Sequence, residues 1–262
     1  MTETPIATRL YVAAALTPGA RVDLEPGQTH YLRDVLRLKP GAALAGFNGR
    51  DGEWLARIEA LGRGRGCLAI ESLRRAPGPE PDIWLVFAPI KRAPIDSLVQ
   101  KATELGCALL QPVMTRHTAV TRVNGARLAA NVREAAEQCG RLSLPELREP
   151  REFGTLLADW PAERRLLVCA EAGPARPIGE VLVGLAADPA ARDAPWAVLT
   201  GPEGGFAESE LDALRKLPFV TLVGLGPRLL RADTAALAAL ACWQAVLGDG
   251  RSRVAIRVPN SD

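Results

Sequence analysis

Between residues 196 and 236 the chain gathers glycine, proline and charge beyond what turns alone require. The short apolar run Trp196–Thr200 has the length and β-branched content of a buried strand and is broken at once by Gly201-Pro202-Glu203-Gly204-Gly205. Residues 219–225 repeat the pattern and end at Gly226-Pro227, followed by Arg228, Arg231, Asp233 and Thr234. Two successive strands, each ending in a Gly/Pro loop before a helix, read as βα units of a parallel sheet, and open α/β sheets bind ligands outside the carboxyl ends of their strands. The two loops are therefore expected to lie over one site. Glycine lets backbone approach a flat ring and proline fixes the turn, so backbone groups of Leu199, Thr200, Gly201, Pro202, Gly204, Gly205, Leu225, Gly226 and Leu230 suit an adenosine cofactor. Glu171, just past the strand-like stretch 165–170, would form a third side.

Other chemistries lack their signatures. Gly62-Arg63-Gly64-Arg65-Gly66 precedes a strand-like run and no helix, so it offers no helix N-terminus to a phosphate and reads as a hairpin turn, whose arginines could touch RNA. The first strand of the larger domain leads into Lys91-Arg92-Ala93-Pro94 without a dinucleotide fingerprint, and no phosphate-binding loop of the NTPase kind is present. His30 and His117, the two histidines, are far apart and in no metal spacing, so neither a metal site nor a Ser-His-Asp triad is expected. Five scattered cysteines without a C-x-x-C pair speak against zinc and disulfides and for a reducing compartment.

The elements that must position the loops follow from patterning. Residues 9–75 carry four short strand-like runs and one helical stretch around 30–36, as in a small β-barrel with one helix. The proline-rich segment 75–81 reads as a linker. Beyond it strands at 83–90, 109–114 and 165–170 alternate with a helix beginning at Pro94 and stopping at Gly106, a helix at 127–140, and a further helix near 181–185. The expected fold is α/β, with a domain at 1–75, a linker at 76–81 and a second domain at 82–262. Hydrophobic content of 48%, 24% charged residues and a net charge of +2 fit a globular protein without a bulk polycationic surface. Residues 1–80 hold 11 basic against 9 acidic residues and the remainder balances, so nucleic-acid contact must come from a local patch. Only four of the 32 basic residues are lysines, which with the abundant alanine points to a GC-rich genome. The N-terminus has no apolar signal core and the longest apolar run, 235–246, is too short to span a bilayer; a cytoplasmic location without membrane attachment is expected.

At LTGPEGGF and LGPRLLRADTAAL the chain resembles the paired cofactor signatures of the ribosomal RNA small-subunit methyltransferase E (RsmE) family, within the SPOUT methyltransferases. The likeness extends through QKATELG (100–106), EAAEQCGR (134–141), Arg9-Leu10-Tyr11 and HYLRDVLR (30–37). It implies an N-terminal PUA-like β-barrel that helps bind RNA, and a C-terminal SPOUT α/β domain whose chain end forms a trefoil knot. It also implies a homodimer, S-adenosylmethionine (SAM) as cofactor, and methylation of N3 of a uridine of 16S rRNA in the small ribosomal subunit, position 1498 in the usual rRNA numbering. In this reading Arg231 stabilises charge developing on the uracil carbonyls. Glu203 either accepts the N3 proton or caps the following helix. Arg9, Arg33 and Arg37 contact RNA phosphates, and Gln138 and Arg141 serve the active site or the dimer seam. Ala207 stands where the family often has a capping serine, a loss of about 1 kcal/mol of helix stability. Ala232-Asp233 stands where Thr-Glu is frequent, which keeps the carboxylate. Another RNA such as tRNA, or a non-enzymatic RNA-binding role, are the alternative readings.

Overall fold

The structure, a computed structural model, describes residues 4–170 and 175–252. By packing, the chain forms two units, one comprising the residues up to Pro79 together with Ala136–Leu144, the other Glu80–Ala135 with the residues from Pro145.

In the first unit the alternating runs form strands β1 (Arg9–Tyr11), β2 (Arg21–Asp23), β3 (Ala43–Phe47), β4 (Glu53–Leu61) and β5 (Gly66–Arg75), with helix α1 (Pro26–His30) continuing into a π-turn at Tyr31–Val35. The strands make one sheet in the order β1-β3-β4-β5-β2. β2 is too short to have shown a pattern. Inward positions such as Leu44, Ala56, Ile58, Leu68 and Ile70 pack with Leu10, Val22 and Leu32 into one core, which is what period-2 alternation with one buried face dictates. Gly62–Arg65 is a hairpin turn closed by the Gly62 N–H on the Arg65 carbonyl at 2.8 Å, with Gly64 left-handed at φ +68°. Residues 76–82 have no regular structure.

In the second unit come β6 (Ile83–Phe87), α2 (Arg92–Glu104), β7 (Leu109–Met114), α3 (Gly125–Cys139), β8 (Glu146–Leu147), β9 (Arg151–Glu152), α4 (Phe153–Ala158), β10 (Arg165–Cys169), β11 (Arg176–Pro177), α5 (Ile178–Ala186), α6 (Pro189–Arg192), β12 (Trp196–Thr200), α7 (Glu208–Arg215), β13 (Val220–Gly224) and α8 (Ala232–Val246). Seven strands follow the order β11-β13-β10-β12-β6-β7-β8, β9 adds to β7, and every pairing is parallel. All five residues of β12 are buried, as expected for a central parallel strand covered on both faces. Helix α2 begins two residues before Pro94, which sits in its first turn, where a missing N–H costs nothing. It stops at Gly106, left-handed at φ +80°. None of the helices of the described residues is long and apolar enough to cross a membrane.

The segment 136–144 falls within the second domain on sequence pattern but packs in the first unit. The reason is charge. Arg9 and Arg75 donate to the carbonyls of Ala136, Glu137, Gly140 and Arg141, at and just beyond the C-terminal end of α3, where the helix dipole favours a cation.

Candidate functional site

Registered pairing of β10 with β12 and β13 sets Cys169 level with Thr200 and Val223, so three strands end side by side. Just beyond those ends lies a cavity of about 210 Å³. Its described lining is Cys169, Ala170 and Ala175, then Thr200 and Gly201 from the first glycine loop, Gly224, Leu225, Gly226, Arg228, Leu229 and Leu230 from the second, and Ala232 and Ala235 from α8. The two loops do share one site, although β10 stands between their strands.

Of the residues expected to hold a cofactor, Thr200, Gly201, Leu225, Gly226 and Leu230 line the cavity. Leu199 does not: it is buried in the core among Val86, Val168 and Leu211. Pro202 is buried behind the loop, and Gly204 and Gly205 shape the turn, outside the lining. Gly205 is left-handed at φ +67° and donates its N–H to the Pro202 carbonyl. Gly204 abuts His117, whose Nδ1 lies 3.2 Å from the carbonyl oxygens of both Gly204 and Gly205. Glu171 lies outside the described residues.

The first loop is clamped by one carboxylate. Glu210, buried in α7, accepts the Ala207 N–H at 2.9 Å and the Arg116 N–H at 2.8 Å. Ala207 is the N-cap and has no side-chain acceptor, so Glu210 provides the half of a capping box that survives there. Glu203 is exposed on the turn and does not cap α7. Arg231 is the exposed N-cap of α8, outside the cavity lining but adjoining Leu230 and Ala232, which belong to it. Cys169, 8% exposed, has its thiol pushed up to about 12 by burial, so it is a neutral wall at physiological pH. Arg228 and Leu229 belong to the second loop that the sequence pointed to, whereas Cys169, Ala170, Ala175, Gly224, Ala232 and Ala235 were not expected at the cavity. For the last two the signal was present, since small residues three apart on one helix leave room beside it.

The RNA-contact residues divide. The Arg9 side chain is 12% exposed, pairs with the Glu53 carboxylate at 2.6 Å, stacks over the Phe47 ring and donates to three main-chain carbonyls, which commits four of its five N–H groups within the protein. Arg33 grips Asp34 through two N–H groups and, with His30 beside it, holds that carboxyl down to about 2. Arg37 is exposed, left-handed at φ +54°, with no carboxylate partner among the described residues. Gln138 is exposed, and Arg141 is half-buried and donates to Ser143.

Residues 78–244 match the model of an RNA methyltransferase domain and residues 24–71 that of an RNA methyltransferase PUA domain. The ribosomal RNA small subunit methyltransferase E of Rickettsia conorii is 30% identical over 234 residues, 89% of this chain and 93% of that protein. The chain belongs to the ribosomal RNA small subunit methyltransferase E family. A second member, from Synechocystis, is 31% identical over 92% of this chain and 78% of its own length. A crystal structure of the Neisseria gonorrhoeae member, bound to SAM, superposes with a TM-score of 0.80 at 27% identity, covering 92% of this chain and 98% of that one.

Proposed function

We propose that this protein binds SAM in the cavity at the ends of β10, β12 and β13 and methylates the RNA of the small ribosomal subunit, at N3 of the uridine numbered 1498 in 16S rRNA. The observation that carries the reading is that cavity itself, assembled from two glycine loops in a chain of this family. Its walls fit the cofactor: Ala170, Ala175, Leu225, Leu230, Ala232 and Ala235 with bare glycine backbone suit an adenosine, and Gly226 turns at φ +101° with open space where a Cβ would stand. Arg228, the one charged side chain in the described lining, suits the carboxylate of an amino acid moiety. When bound, the cofactor supplies a methyl group on a sulfonium.

The protein's own task is to make N3 a nucleophile and aim it. Uridine N3 carries a proton, and losing it places negative charge on the flanking carbonyl oxygens. Arg231, at the rim, stabilises that charge; its delocalised guanidinium is a strong donor to such oxygens. Glu203, freed from a capping duty by Glu210, accepts the proton and passes it to water. Arg33 and Arg37 contact phosphates, while Gln138 and Arg141 serve the active site or a dimer seam. We further take residues 1–75 as a PUA-like RNA-binding barrel, 76–81 as a linker and 82–262 as a SPOUT domain with a C-terminal trefoil knot. The protein works as a cytoplasmic homodimer without a metal.

The test is methylation, with labelled SAM, of small subunits from a strain lacking the gene, followed by mapping of the modified nucleotide by mass spectrometry. One N3-methyluridine at that position is the expected result. Cofactor binding with no label in those subunits would refute the substrate and send the search to other RNAs, tRNA among them; no cofactor binding would favour a non-enzymatic RNA-binding role.

A further inference from the structure

Six arginines of the first unit are paired with carboxylates. Arg9, Arg74 and Arg75 converge on Glu53, while Arg21, Arg33 and Arg57 hold Glu59, Asp34 and Glu71. Arg63 and Arg65 stand outside these pairs. Both are exposed at the tip of the β4–β5 hairpin, and among the described residues neither side chain has a carboxylate or other hydrogen-bond partner. Their presentation is fixed from below. β4 and β5 pair up to Leu61 and Gly66, and the Gly66 carbonyl accepts the Leu24 N–H at 2.9 Å. A Cβ on the buried Gly66 would stand 2.8 Å from the Leu24 side chain, so this base is tightly packed. Above it, Gly64 separates the two arginines and Gly62 precedes them with bare backbone, which leaves a phosphate chain free to approach closely.

We infer that the Arg63–Arg65 hairpin tip is a phosphate clamp for the substrate RNA, a contact separate from Arg33 and Arg37. The inference rests on the proposed rRNA substrate. A guanidinium pair on a rigid turn, without internal acids, suits the regularly spaced anions of a nucleic-acid strand.

The test is binding of the full-length protein to naked 16S rRNA and to small subunits as a function of KCl, for the wild type, R63A/R65A and R63K/R65K. Two lost phosphate contacts lower the slope of log K against log salt by about 1.4–1.8, at roughly 0.7–0.9 per contact. Between 50 and 200 mM salt the wild type then loses roughly tenfold more affinity than R63A/R65A. The lysine variant keeps most of the slope, because it retains the charge, and all three proteins keep the same urea midpoint. Wild-type binding with an unchanged slope in R63A/R65A overturns the clamp and leaves the proposed function standing. Weakened binding to subunits with unaltered binding to naked rRNA also overturns it, by assigning the hairpin to a ribosomal protein. Failure of the wild type to bind small-subunit RNA at all refutes the substrate reading, and the clamp with it.

Discussion

Replacing Arg9 with alanine separates a structural role from an RNA-binding one. The substitution leaves Glu53, itself 5% exposed, with Arg75 and Arg74, and strips the Ala136, Glu137 and Arg141 carbonyls of their donor. Breaking a buried pair costs about 3–5 kcal/mol, and each hydrogen bond from a charged donor about 1.5–3 kcal/mol. These are not additive, because water enters the vacated site and Glu53 keeps two partners, so the expected loss is about 3–5 kcal/mol, a large share of the roughly 5–15 kcal/mol that holds a domain folded. Arg9→Lys keeps the charge but not the fan of donors and should lose about half as much. Urea unfolding gives the magnitude, and amide hydrogen exchange in β1–β5 shows which unit loosens. Burial raises the Glu53 pKa, but hydrogen bonds from Arg75 and Arg9 outweigh it and hold the carboxyl below its ordinary value. The group therefore stabilises the fold above the unfolded value of about 4.3 and stops doing so as pH falls through the lower folded value. Glu53→Gln should flatten that acid dependence. A loss below about 1 kcal/mol in Arg9→Ala, or a reduced RNA salt slope at an unchanged urea midpoint, would refute the structural assignment.

Arg231→Ala should lower single-turnover methyl transfer by about 10²–10³ with cofactor affinity nearly unchanged, and Glu203→Gln by about 10²; full turnover in both would remove the proposed roles. Gly226→Val forces a side chain into φ +101° and should weaken SAM binding by calorimetry, at about 1–3 kcal/mol of strain; unchanged affinity would place the cofactor elsewhere. Glu210→Ala deprives the Ala207 and Arg116 amides of their acceptor and should lower stability by about 1–3 kcal/mol, with Glu210→Gln milder, as read by urea titration. Cys169, with its pKa raised by burial to about 12, should resist iodoacetamide at pH 8 until the protein is unfolded. Its contribution to stability is complete below pH ~9 and lost as pH rises toward 12.

Much of the framework was readable along the chain, because strand, helix and turn propensities act over a few residues. The apolar run of β12, the alternation in β4 and β5, the stop at Gly106 and the hairpin at Gly62–Gly66 all appear where local pattern puts them. The likeness of the two glycine loops to one family's signatures was readable for the same reason, since both are contiguous. Short elements were not: β2, β8, β9 and β11 hold two or three residues each and exist because a neighbour offers them a ladder.

Tertiary packing decided what each charged side chain does. Nothing in Arg9-Leu10-Tyr11 distinguishes an arginine aimed at RNA from one sealed against Glu53, because its partners lie 44 and more residues away. Likewise the sequence presents Glu203 and Glu210 as two acids near one turn, and only the fold brings the Arg116 amide 94 residues along the chain to Glu210. It is also the fold that buries Leu199 and opens Ala232 and Ala235 onto the cavity. Residue types and spacing determined which chemistry this chain can carry, since local conformation follows from nearby atoms. Which groups remain free to carry it was decided by long-range burial and pairing, whose energies depend on neighbours that the sequence does not place.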